Sequence, residues 1–241
     1  MKEYFDLIIN FWTGCRTVSG GCRECIEQQK PITKGRQSDF LKPYSLKTPK
    51  KILVNENSDF FSPDGDKWRE EAWLTIKKNP QHNWFICTKW PERILKCLPK
   101  DWSAGYANVY LGISAERQSS FHQRALKLYE VPCHGRFAVL EPLLEPITVR
   151  DYMALTIENK PVKPFIWIMV GGEAGGNSRQ CKVDWLQAIV AECVFMKVPV
   201  YVKQLGSIIA KELKLKSKVG DNPQDLKYPP ALRYQDLPTK L

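Results

Sequence analysis

The 241-residue chain carries 36 Lys and Arg against 26 Asp and Glu, giving a net charge of +10 and an isoelectric point near 9.2. With 43% apolar residues it can bury a core as one domain, and no apolar run approaches the ~18 residues of a membrane span. The composition excludes a helical membrane protein and predicts a soluble, cytoplasmic one.

The first apolar run, Phe5–Ile9, predicts a strand, and the stretch Asn10 to Cys25 follows it directly. Cys15, Cys22 and Cys25 lie there with six and then two residues between them, and Gly14, Gly20 and Gly21 let the backbone wrap a small object. Soft thiolates select zinc, copper(I) or iron–sulfur clusters. Three ligands leave one coordination position open, as a catalytic centre needs, whereas structural zinc is closed by four. On spacing alone an iron–sulfur cluster is the first reading; zinc closed by His82, His122 or His134, and incidental thiols, are the alternatives. Reducing cytosol disfavours a disulfide.

From Lys30 to Lys51 seven cations face the single acid Asp39, and from Lys197 to Lys218 six face Glu212 alone. These two loop-like segments, with aromatics such as Tyr44 near the first, predict a nucleic-acid partner, DNA before RNA; the plainer reading is a solvated face.

Short continuous apolar runs at Ile52–Asn55, Trp84–Cys87, Val109–Ile113, Phe137–Leu140, Phe165–Val170 and Val198–Val202 predict strands buried on both faces. Helical periodicity covers Asp66–Lys78, Ala115–Tyr129 and Val183–Lys197 between them. Alternating strands and helices predict an α/β fold with parallel strands and helical crossovers, a partial or complete (β/α) barrel over residues 1–218. Residues 219–241, with Pro223, Pro229, Pro230 and Pro238, predict a Pro-rich C-terminal tail laid on the surface or disordered.

Polar residues follow each strand, and in such barrels the loops after the strands build the site, so these groups are expected on one rim with the cysteines. Ser58, Asp59, Ser114 and Glu116, short acids and hydroxyls at strand ends, suit a polar ligand, with helix capping as the plainer reading. Gly171-Gly172-Glu173, whose glycines allow close backbone approach, is a candidate ligand clamp, with a phosphate or turn role as the alternative. Lys89, Arg179 and Lys203 are candidate anion holders. Glu141 is a proton acceptor or the ion-pair partner of Arg179 or Lys89; Glu141 and Lys89 are the catalytic candidates. Of the remaining cysteines, Cys97, Cys133 and Cys193 read as small core residues, and Cys87 and Cys181 as candidate hydrogen donors.

Trp12-Thr13-Gly14-Cys15 with Cys22 and Cys25 resembles the three-cysteine signature of the phage-associated radical SAM-like proteins, a family related to spore photoproduct lyase. Six further blocks match in order: Val54 to Phe61, Thr88 to Arg93, Asn108 to Ser114, Glu141 to Leu144, Val170 to Glu173, and Val202 to Gly206. The resemblance implies a radical SAM barrel and a 4Fe-4S cluster on Cys15, Cys22 and Cys25 that binds S-adenosyl-L-methionine, with Ser58, Asp59, Ser114 and Glu116 toward its ribose hydroxyls and methionyl end and Gly171-Gly172-Glu173 as a clamp for the methionine end. It also implies an external electron donor and a phage-infected or prophage-bearing bacterial host. The reaction it suggests is modification or isomerisation of a nucleic-acid base, hypermodified thymidine in phage DNA first. The alternatives are a thymine-lesion repair lyase and a non-enzymatic zinc or iron–sulfur nucleic-acid-binding module. Nothing in the sequence fixes the oligomeric state.

Overall fold

The computed structural model describes residues 4–152, 156–157, 160–161 and 165–238. In chain order the elements are β1 (Leu7–Ile9), β2 (Trp12–Thr13), β3 (Thr33–Lys34), α1 (Gln37–Ser45), β4 (Lys51–Val54), α2 (Asp66–Lys78), β5 (Asn83–Thr88) and α3 (Ile94–Cys97). They continue with β6 (Val109–Ser114), α4 (Gln118–Tyr129), β7 (Gly135–Leu140), β8 (Thr156–Ile157), β9 (Lys160–Pro161), β10 (Phe165–Gly171), α5 (Val183–Phe195), β11 (Val200–Gln204) and α6 (Ser207–Glu212). Seven strands form one sheet in the order β1-β4-β5-β6-β7-β10-β11, and the registers within it are parallel. The fold is therefore α/β with helical crossovers, as parallel pairing demands. The order has two ends, so among the described residues no pairing closes the sheet into a complete barrel.

The chain divides into two compact units, Met1–Ile113 with Leu126–Gly135 and Ser114–Ala125 with Arg136–Lys240. In the first, the row Ile9, Val54, Ile86 and Leu111, paired across four strands, is fully buried. The next row down, on the opposite face, is uneven: Phe85 and Tyr110 are covered, Ile8 and Leu53 only half-buried. The expectation of burial on both faces thus holds for one face and only partly for the other. In the second unit Leu140, Val170 and Val202 align in register beside the buried α5 residues Leu186, Ile189 and Cys193.

Helix boundaries depart from periodicity where backbone groups are used elsewhere. Ala115, Glu116 and Arg117 precede α4 because Ala115 N–H donates to Val139 C=O at 2.9 Å, and the next two amides donate to the Ser120 hydroxyl at 3.4 and 3.2 Å. Helix α5 ends at Phe195, before Lys197 with φ +55°. The basic segments, read as loop-like, hold α1 and α6. The Pro-rich stretch lies along β11: Val202 N–H donates to Tyr234 C=O at 2.8 Å, Asp236 N–H to Val200 C=O at 3.0 Å, and Tyr228 and Leu232 are buried. That cover occupies the free edge of β11; residues 239–241 lie outside the described ones.

Candidate functional site

The cysteine loop is an excursion from the first unit, closed at its base by the β2–β3 ladder, which pairs Trp12 with Lys34 and Thr13 with Thr33. Inside it, Cys15 N–H donates to Glu27 C=O at 3.1 Å. Gly14, at φ +83°, passes so close to Pro31 that a Cβ would sit 2.5 Å from its carbonyl oxygen. A side chain there would be both strained and blocked.

The turn after β4 braces this loop from the side. Asn55 Oδ1 accepts from Phe11 N–H at 2.8 Å, Asn57 N–H donates to Asn10 Oδ1 at 3.0 Å, and the Ser58 hydroxyl donates to Gly14 C=O at 2.6 Å. Further along, Trp12 Nε1–H donates to Asp59 C=O at 3.3 Å and Arg16 pairs with Asp64. Asn55 holds φ +54°, a conformation tolerated by Asn better than by most residues.

Asp59 is the knot between this turn and the end of β5. Its carboxylate accepts from Thr88 Oγ1 at 2.6 Å, Lys89 N–H at 2.7 Å and Phe61 N–H at 2.9 Å. Burial raises its pKa above the usual carboxylate value, and these hydrogen bonds oppose the shift. The result aims Lys89 at the loop, with its Nζ 3.3 Å from Cys22 Sγ. Both Ser58 and Asp59, expected as ligand groups, therefore fasten the loop.

Cys22 is buried, Cys15 half-buried and Cys25 exposed, and no disulfide joins them. Burial pushes the Cys15 thiol up to about 12, and Asp59 and the two other thiols add to the rise. For Cys22, burial also acts upward, but the Lys89 ammonium and backbone hydrogen bonds at Val18 and Ser19 outweigh it and lower the pKa. Among the described residues no three His, Cys, Asp or Glu side chains stand in metal-holding geometry.

The second unit holds the other candidates, each carboxylate beside a cation. Glu116, almost fully buried, pairs with Arg124 at 3.1 Å, and Arg124 also donates to Ser114 C=O at 2.6 Å. Glu141 pairs with Lys203, and Glu173 is gripped by the Arg179 guanidinium at 2.5 and 2.8 Å. Arg179 lies beside Glu173 and lowers its pKa against the opposing effect of burial. The glycines serve close packing: a Cβ on Gly172 would lie 2.1 Å from Leu205 C=O, and one on Gly171 would lie 3.1 Å from Glu141 Oε1. Cys181 and Cys193 are buried, with thiols pushed up to about 12 by burial.

Sequence reasoning missed Asn10 as a brace, Thr88 as the hydroxyl on Asp59, and Arg124 as the partner of Glu116. Asn10 and Thr88 carried a signal, as polar residues at strand ends, and Arg124 carried none. The family described as Protein of unknown function (DUF5131) matches residues 2–227, and the chain belongs to that family. No curated protein and no solved structure matches it.

Proposed function

We propose that this member of the DUF5131 family is a radical SAM enzyme that modifies or isomerises a nucleic-acid base, with hypermodified thymidine in phage DNA as the substrate class. The observation that carries the reading is one braced loop that holds three unoxidised cysteines, with the Lys89 ammonium on Cys22. Three soft donors fit a 4Fe-4S cluster with one open iron site. Thiolates must be deprotonated to bind, and Lys89 favours that state at Cys22. Cys15, half-buried, and Cys25, exposed, would complete the ligand set with Cys22.

When bound, the cluster would supply the one-electron reduction, from an external donor, that splits S-adenosylmethionine. The chain's own residues do the rest. The braces at Asn55, Asn57 and Ser58 hold the loop against the strand ends. Ile8, Leu53 and Cys87 lie half-buried on one face of the first unit's strands. In the second unit the Glu141–Lys203 pair keeps a carboxylate and an ammonium in one place, where either could move a proton. Glu173 and Arg179 hold each other, so the order they impose is on the loop after β10.

Anaerobic iron and sulfide reconstitution tests this. Cys22→Ala should abolish iron binding and release of 5′-deoxyadenosine, while Cys193→Ala keeps both. Stoichiometric zinc without cofactor cleavage, or equal iron in the two variants, would overturn the assignment.

A further inference from the structure

We propose that helix α1 is a stacking platform for an unpaired base of a single-stranded nucleic acid, an inference that rests on the nucleic-acid reading above. The inner face of α1 is anchored. Phe40 and Pro43 are buried, the Phe40 ring lies 4.9 Å from that of Phe11, and Pro43 C=O is 3.0 Å from His82 Nε2. The outer face carries Leu41 and Tyr44, which are 56% and 48% exposed and three residues apart, so they are neighbours on the helix surface. Two large apolar side chains side by side in water are a cost that the core of this unit does not require.

The charge around them selects the occupant. Of the cations in this segment, Lys30 pairs with Glu27 at 2.6 Å, Lys34 with Glu71 at 2.5 Å, and Arg36 lies 3.8 Å from Asp39. The exposed ammonium groups of Lys42 and Lys47 have no acidic partner among the described residues. An exposed aromatic with unneutralised cations two residues before it and three after it in the chain offers the two groups, stacking face and positive charge, that a single strand's bases and phosphates take up. A duplex offers no open base face to Tyr44. A bilayer would need more apolar surface than two side chains on a nine-residue helix bring.

Position favours the same partner. Gly35, just before α1, donates to Phe11 C=O at 2.8 Å, and a Cβ there would lie 2.2 Å from Asn10 C=O. The platform is thus rooted where the cysteine loop leaves the sheet, so a strand stacked on Tyr44 is held by the same unit as the thiols.

The full-length protein can be titrated into a short labelled oligothymidylate, into the same strand paired with oligoadenylate, and against phosphatidylserine-containing vesicles. The single strand should bind at least about fivefold tighter than the duplex, Tyr44→Ala should weaken it at least about fivefold, and Tyr44→Phe should stay within about twofold. The double variant Lys42→Gln/Lys47→Gln should make the log–log salt slope shallower by ~0.7 for every phosphate no longer neutralised. Unchanged affinity in Tyr44→Ala, equal binding of duplex, or tighter binding to vesicles than to the strand overturns the inference. The titration needs neither cluster nor S-adenosylmethionine. A protein that binds the strand but never cleaves the cofactor overturns the enzymatic proposal alone; one that cleaves without binding overturns this inference alone.

Discussion

Thr88 is a small residue with two hydrogen-bonding duties in a site only 1% exposed: its hydroxyl donates to Asp59 at 2.6 Å and accepts from Trp90 N–H at 2.9 Å. Thr88→Val keeps the shape and removes both. It should cost about 1–3 kcal/mol in urea denaturation, because a buried carboxylate and a backbone amide each lose a partner; unchanged stability would show that Asp59 is not the knot described. Glu173 gives a pH-dependent counterpart. Its pKa lies below the ordinary 4.5, chiefly through Arg179 acting against burial, so the ion pair stabilises the fold above that value and is lost as pH falls through the folded-state pKa. Glu173→Gln should therefore destabilise the protein more at pH 7 than at a pH below 4.5, measured as shifts in the urea midpoint. Equal shifts at both pH values would contradict the pairing.

At the scale of elements, the cysteine loop depends on close backbone approaches, at Gly35 on its root and at Gly14 within it. Gly35→Ala places a methyl 2.2 Å from Asn10 C=O, whereas a Cβ on Gly20 meets nothing within 4 Å. Gly35→Ala should cost about 1–3 kcal/mol as overpacking does and lower iron loading, and Gly20→Ala should do neither; iron analysis of the two variants decides it. This contrast also marks how far the sequence could be read. All seven sheet strands and helix α2 (Asp66–Lys78) stand out in the apolar pattern, because strands buried on one face and partly on the other leave short continuous apolar runs. The β2–β3 ladder and α1 do not: the ladder is two pairs long, and α1 buries only Phe40 and Pro43 and has a proline in its interior. The three cysteines were legible as a group, but the use of Ser58 and Asp59 was not, since a hydroxyl or carboxylate after a strand looks alike whether it meets a ligand or a backbone amide. Glu141, expected to pair with Arg179 or Lys89, pairs instead with Lys203 from β11, while Arg179 is held by Glu173 and Lys89 lies at Cys22.

For the whole molecule, the net charge of +10 overstates what a polyanion would meet, because many cations are already paired. Lys203 belongs to the second basic segment by sequence, yet it is largely buried against Glu141. Lys216 lies against the Asp225 carboxylate, which accepts from its amide at 2.8 Å, whereas Lys197, Lys211, Lys214 and Lys218 remain exposed, with no acidic partner among the described residues. Those are the groups free to displace counterions from phosphates, and removing one that neutralises a phosphate should reduce the log–log salt slope by about 0.9 on duplex or 0.7 on single strands. Replacing Lys211, Lys214 and Lys218 with Glu should flatten the salt dependence of DNA binding if this segment meets phosphates. Lys127→Gln serves as the control, since Lys127 is already 2.8 Å from Glu130 and its loss should leave the slope unchanged. A slope that responds equally to both changes would mean that the protein attracts polyanions through its total charge alone, and a slope near zero in the parent protein would point to a substrate without phosphates.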